Sequence, residues 1–269
     1  LPKRLPGLLF LHHLVERRGL LFQLVRRDFE QRFVGSAAGW LWGLIHPLVL
    51  LLAWTFVFGV CLHQKPPPGQ PGNYPLFLFA GMLPWLLFNE TLQRSSSSLL
   101  DHANLITKTV FPAEMVPLSV FLSSLVSHLM ALALLLAAAE IWLRSLGPAL
   151  LVLPVYMLLL GLLSVGMGWV VAALQVYLRD TSQVLMVVLT FWFYLTPIFI
   201  FENQLPHRLR PILYVNPMAY VVRAYRQVLL SQQIPSLADA GVLAAYGLSA
   251  FLIGGLVFRH LKRGFADVL

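Results

Sequence analysis

Six long apolar segments, at 40–62, 75–93, 116–139, 148–174, 183–201 and 237–258, follow one another along the 269 residues with only short charged or Pro-rich breaks between them. A helix needs about 20 apolar residues to cross the hydrocarbon core of a bilayer. Lipid offers the backbone no hydrogen-bond partner, so spans of this length must be helices rather than strands. The sequence therefore predicts an all-α polytopic membrane protein: six transmembrane helices form one domain over 35–269, after an amphipathic interface segment at 1–34. Composition agrees, with 58% of residues hydrophobic and 11% charged, where a soluble domain carries about 25% charged.

An even number of spans puts both ends on one side. With that side taken as cytoplasmic, only Lys65, Arg144, Arg208, Arg210, Arg223 and Arg226 of the 19 Lys and Arg residues lie outside. Inner loops of membrane proteins concentrate positive charge. That distribution favours the orientation and accounts for the net charge of +8 without a nucleic-acid partner. The single cysteine, Cys61, can form no intramolecular disulfide and reads as a small buried hydrophobe. The first residues, with Lys3 and Arg4, lead into an amphipathic stretch rather than a compact apolar core, so no cleaved signal peptide is expected. His12 and His13 are adjacent and point to different helical faces, and no metal site is expected.

In the leader at 8–33, Phe22, Val25, Phe29 and Phe33 recur at spacings of three and four, with Arg26, Arg27, Glu30 and Gln31 largely elsewhere on the wheel. This is the pattern of a helix lying in the interface, where many such helices are plain anchors. Gly35, Gly39 and Gly43 are four apart and are expected on one helical face, where small residues let two helices approach closely. His46-Pro47 is expected to kink the first span or to end a tight turn before it.

Two breaks carry structure of their own. The stretch at 101–115 is too polar to span, yet its apolar residues predict a short helix along the inner face, ending near Pro112. On the other side, 197–236 holds short apolar pieces divided by Pro206, Pro211 and Pro217. Asn216 before Pro217 has the form of an N-cap followed by proline at the first helical position. A helix of about 15 residues from there is near 22 Å long, too short to cross. A re-entrant or interfacial hairpin on the outer side is the reading.

Several of these segments carry a family resemblance. Residues 27–36 read RDFEQRFVGS and 39–47 read GWLWGLIHP; the inner stretch runs Leu105-Ile106-Thr107-Lys108 to Phe111-Pro112, and Asn216-Pro217-Met218 follows in the same order. Over about 26–263 the chain resembles the membrane subunit of polysaccharide-exporting ABC transporters. The resemblance implies a homodimeric permease of a bacterial inner membrane, multi-pass with both termini cytoplasmic, paired with two copies of a separate ATPase. Its substrate would be a lipid-linked polysaccharide such as O-antigen, teichoic acid or capsule chains.

The resemblance also implies roles for particular residues. The stretch at 101–115 would seat on the ATPase through Asn104, Leu105, Ile106, Lys108, Phe111, Pro112 and Glu114. The leader would border the cytoplasmic entrance, where Arg26, Arg27 and Arg32 meet the phosphates of the lipid carrier. The outer hairpin, with Tyr220, Arg223, Tyr225 and Arg226, would face the exit.

The residues themselves agree with that division of labour. No G-x-x-x-x-G-K-[ST] loop is present to cradle phosphates. The chain reads as a transport subunit rather than an enzyme, binding no cofactor itself, with ATP and Mg on the partner. Glu90 lies either in the substrate path or near the inner surface, paired with Arg94 four residues on. His128 reads as a satisfied packing residue. Sugar rings stack on aromatic planes, so Trp40, Trp42, Trp85, Phe88, Trp192 and Tyr194 are candidates for a glycan path. Interfacial belts and packing claim most membrane aromatics, leaving roughly a third of these for substrate. The outer arginines suit anionic headgroups or carrier phosphates, because guanidinium matches phosphate geometry. A drug- or lipid-exporting permease of the same superfamily would share the architecture. A secondary transporter would show internal repeats, and none is visible.

Overall fold

The computed structural model describes residues 17–32, 34–65, 74–109, 111–143, 147–199, 206, 208 and 210–268. Leader residues 1–16, Phe33, Arg144 and hairpin residues 200–205, 207 and 209 lie outside the described residues. Every regular element within them is helical. In order these are α1 (Arg18–Gln31), α2 (Gly39–Cys61), α3 (Tyr74–Asp101), α4 (Ala103–Lys108), α5 (Met115–Leu143), α6 (Pro148–Tyr177), α7 (Thr181–Leu195), α8 (Arg210–Val215), α9 (Pro217–Leu230), α10 (Leu237–Gly264) and α11 (Phe265–Val268).

Five of them, α2, α3, α5, α6 and α10, are long and apolar enough to cross a membrane. The segment expected as a further span at 183–201 forms α7, whose 15 residues reach about 22 Å against a core of about 30 Å. The multi-pass helical architecture is as expected, with five helices among the described residues long enough to cross where six spans were expected.

The middle of the domain is α3. Its residues from Tyr74 to Leu99 are buried on nearly all sides by α5, α6 and α9. A helix surrounded by protein cannot be amphipathic, and α3 stays apolar around its circumference up to its last turns. There Ser95, Ser96 and Ser98 are buried; Ser96 and Ser98 donate to carbonyls three residues back, at 2.6 and 2.8 Å. Small side chains at this point let α6 come close, with Gly168 facing Ser95.

The tightest crossing joins α6 to α10. A Cβ added at Gly254 would run into the Gly166 carbonyl, and one at Gly166 into the Ala250 carbonyl. These two backbones touch because neither glycine has a side chain, the packing that helices in lipid favour. Proline opens α6 at Pro148, and Ser236 caps α10 by accepting from the Asp239 N–H at 3.1 Å.

Several expectations are corrected. Gly35 and Gly39 take φ of 79° and 53°, left-handed backbone suited to glycine. Gly35 lies in the turn before α2 and Gly39 opens the 3-10 turn that begins α2, so the three do not share an α-helical face; Gly43, in the α-helical part, lies against Met130 of α5. Pro47 sits inside α2. Cys61 is exposed rather than buried, because α2 is peripheral and buries only Pro47 and Leu51. The short helix expected along the inner face forms as α4 but stops at Lys108, before Pro112, since Thr109 is already extended. On α1 the buried side centres on Leu24, while Phe22 is exposed. The reason is polar: Asp28 and Arg32 are drawn toward the bundle by charges on α3.

Candidate functional site

At the end of α1, four charged side chains from two elements interlock. Arg32 Nη1 lies 2.6 Å from Glu90 Oε1 on α3, and Arg94 Nη2 lies 2.7 Å from Asp28 Oδ1. The sequence neighbours Asp28–Arg32 and Glu90–Arg94 are each 3.9 Å apart. The stronger pairs therefore run between helices, not along them. Arg32 also donates to Ser127 Oγ at 3.0 Å and Ser124 Oγ at 2.9 Å on α5, and Ser124 donates to Glu90 at 3.2 Å. Two acids and two bases cancel, which is how buried charge is tolerated. Burial draws the Arg32 guanidinium below its ordinary value, and Glu90 opposes that shift.

This network forms one wall of a cavity of about 380 Å³ between α1, α2, α3 and α5. Trp42 and His46 of α2 line it, with Asn89, Glu90 and Gln93 of α3 and Ser124, Ser127 and His128 of α5. The volume falls within the range of small-molecule sites, about 300–1,000 Å³. The cavity offers hydrogen-bond donors and acceptors beside an indole face, while its one arginine already has a counter-charge. Such a lining favours a neutral, hydroxyl-rich ligand over an anion.

At the opposite end of the bundle, α9 is held by its cap. Asn216 Oδ1 accepts from the Met218 N–H at 3.0 Å and from Trp192 Nε1 at 2.8 Å, and its Nδ2 donates to Thr196 Oγ1 and the Leu195 carbonyl. Arg226 is buried and donates to the carbonyls of Phe77, Pro197 and Ile198 at 3.2, 2.7 and 2.6 Å, with its guanidinium 3.5 Å from the Phe77 ring centroid. Tyr225 is fully buried and shares a 3.0 Å hydrogen bond with His128 of α5. Tyr220 donates to the Tyr214 carbonyl, and Arg223 pairs with Asp239 at 3.0 Å. An apolar groove of about 770 Å³ runs beside them, lined by Val187, Phe191, Trp192, Leu195, Ile212 and Val215 among others.

The sequence-predicted residues are thus sorted by position. Arg32, Trp42 and Glu90 meet in the polar cavity. Arg26 and Arg27 stay exposed on α1, with Arg26 paired to Glu30 at 2.7 Å. Trp40 and Tyr194 are exposed, whereas Trp85 and Phe88 are buried in a ring cluster with Trp192 and Phe193. Tyr225 and Arg226 face the interior, not an exit surface, because each meets a polar partner there. On the stretch 101–115 Asn104 and Lys108 are exposed; Ile106 and Phe111 pack against the chain's own core, with Leu105 and Pro112 half-buried. Glu114 is paired with Lys262 at 2.6 Å. His128 is the satisfied packing residue expected.

Asp28, Asn89, Gln93, Ser124 and Ser127 were not anticipated. A usable signal existed for Asp28: in a chain with 11% charged residues, two acid–base couples at the same spacing of four invite cross-pairing. Serines on an apolar span carry no comparable signal.

Comparison with known proteins comes to the same architecture. The O-antigen export system permease protein RfbA of Myxococcus xanthus is 28% identical over 258 residues, 94% of this chain and 96% of its own length. RfbA of Klebsiella pneumoniae is 25% identical over 253 residues, covering 93% and 95%. The polysialic acid transport protein KpsM of Escherichia coli is 24% identical over 239 residues, covering 88% and 91%. Residues 19–230 match the ABC-2 type transporter family, most of the chain. With its helical multi-pass fold, the chain belongs to the ABC-2 type transporter family.

Proposed function

We propose that this chain is the permease subunit of an ATP-driven exporter of lipid-linked polysaccharide, an O-antigen-like chain. The observation that carries the reading is the near end-to-end match of both chains with permeases named for O-antigen export. Capsular polysaccharide is the second reading, favoured by the match to a polysialic acid transport protein. Two copies would pair with two copies of a cytoplasmic ATPase in the inner membrane, both termini cytoplasmic, with α7 crossing as a short span. Residues 1–34 would act as the interface segment and 35–269 as the permease domain.

In this arrangement α4 meets the ATPase through Asn104 and Lys108, while Leu105, Ile106, Phe111 and Pro112 hold it to the membrane domain and Glu114 fixes its far end. Arg26 and Arg27 take the carrier's phosphates at the inner surface, since Arg32 is already neutralised by Glu90. The polar cavity beside Trp42 and Glu90 receives sugar hydroxyls, with Trp40 and Tyr194 on the exposed faces available for stacking. Trp85 and Phe88 support the path from behind. At the exit, Tyr220 and Arg223 lie nearest the surface, and Tyr225 and Arg226 position α9 from within.

Deleting the gene in its host tests the reading. Surface polysaccharide should disappear while lipid-linked chains collect in the cytoplasmic leaflet, and a plasmid copy should restore export. Normal surface polysaccharide, with altered efflux of a drug or lipid instead, would contradict it.

A further inference from the structure

We infer that the end of the last span, α10, carries movement of the inner-face helix into the membrane domain, through the ion pair of Glu114 with Lys262. The inference rests on reading 101–115 as the ATPase seat.

Four segments are tied together at this point. Lys262 Nζ lies 2.6 Å from Glu114 Oε2, joining the end of α10 to the stretch between α4 and α5. The Glu114 carbonyl accepts from Trp169 Nε1 of α6 at 2.9 Å, and Tyr177 at the end of α6 donates to the Leu261 carbonyl at 2.7 Å. Phe265 is buried against Tyr177 and Phe258, with ring centroids 6.2 and 5.6 Å away. The short helix α11 that it opens packs on α4 itself. Farther into the membrane the touching backbones of Gly166 and Gly254 lock α6 to α10. A displacement of α4 is therefore shared by α10 and α6 as one body.

As a source of stability the pair counts for little, because both side chains are partly exposed, 37% for Lys262 and 27% for Glu114. Its position is what gives it a role. Removing it should leave the fold intact and weaken the link, which separates a transmitting contact from a merely structural one.

The test uses the permease with its ATPase, reconstituted in vesicles, and measures glycan moved per ATP hydrolysed. Glu114→Lys and Lys262→Glu are each expected to lower that ratio several-fold with little change in the thermal midpoint, and the swapped double variant to recover it. As a second arm, Glu114→Cys with Lys262→Cys in a Cys61→Ser background should be uncoupled until a short bis-methanethiosulfonate reagent, displacing a sulfinate leaving group at each thiol, joins the two positions, which restores the ratio. Normal ratios in both single variants, no recovery in the swapped double, or arrest on cross-linking would each overturn the inference. Failure of any ATPase to copurify would overturn the reading beneath it instead.

Discussion

Arg226 and Arg32 solve the same problem in different ways. Each is a guanidinium held within an apolar domain, where an unpaired charge is not tolerated. Arg226 meets three backbone carbonyls and the face of Phe77; Arg32 meets Glu90 and two serines. Arg226→Met should deprive the non-helical Pro197 and Ile198 carbonyls of this donor, at about 1–3 kcal/mol for each buried acceptor, lowering the thermal midpoint of the purified protein. Arg226→Lys should recover only part, because an ammonium cannot reproduce the fork of donors. An unchanged midpoint in Arg226→Met would show that these contacts do not stabilise the domain. For Arg32, Glu90→Gln should destabilise by less than the roughly 3–5 kcal/mol of a fully buried broken pair, since the Glu90 side chain is 36% exposed. The exchanged pair Arg32→Glu with Glu90→Arg should regain much of the loss in the same melting experiment. Arg94 was legible as a neighbour of Glu90 four residues on, but which acid each arginine prefers depends on how α1 packs, and a linear spacing does not hold that information.

At the scale of elements, the long helices were legible because a bilayer imposes a length, and a length can be read directly from the apolar runs. The start of α9 was legible for a local reason, as Asn216 and Pro217 define a cap within two residues. The glycine run at the entry to α2 was misread, since a spacing of four means one face only where the backbone is α-helical, and the positive φ of Gly35 and Gly39 ends that condition. The α6–α10 crossing gives a direct check: Gly254→Val forces a side chain into the Gly166 carbonyl, and overpacking of this kind costs about 1–3 kcal/mol. Reduced folded yield and a lower melting point are expected; wild-type behaviour would mean that the helices are not so close. The shortness of α9 gives another check. Its 14 residues reach about 21 Å and, unlike the uncharged α7, carry Arg223 paired with Asp239 and Arg226 buried in the domain, so cysteines at Arg208 and Ser231, in a background lacking Cys61, should both react with an impermeant thiol reagent from the same outer side. Reaction from opposite sides would make it a further span.

Across the whole molecule, the two ends of the domain differ in chemistry. One end gathers α1, α4, the charge network and the polar cavity; the other is closed by α9 and an apolar groove. The cavity was only partly legible in sequence, because its wall gathers residues from four helices far apart along the chain, and three of them, Arg32, Trp42 and Glu90, stood out only for their type. The sequence holds no phosphate loop, and in the proposed function a separate ATPase supplies the energy. The most direct measurement is uptake of the host's own lipid-linked glycan into inside-out vesicles containing the permease with or without its ATPase. The account predicts uptake only with both proteins and ATP present, undiminished when the proton gradient is dissipated. Uptake by the permease alone, or uptake that follows the gradient rather than ATP, would contradict it.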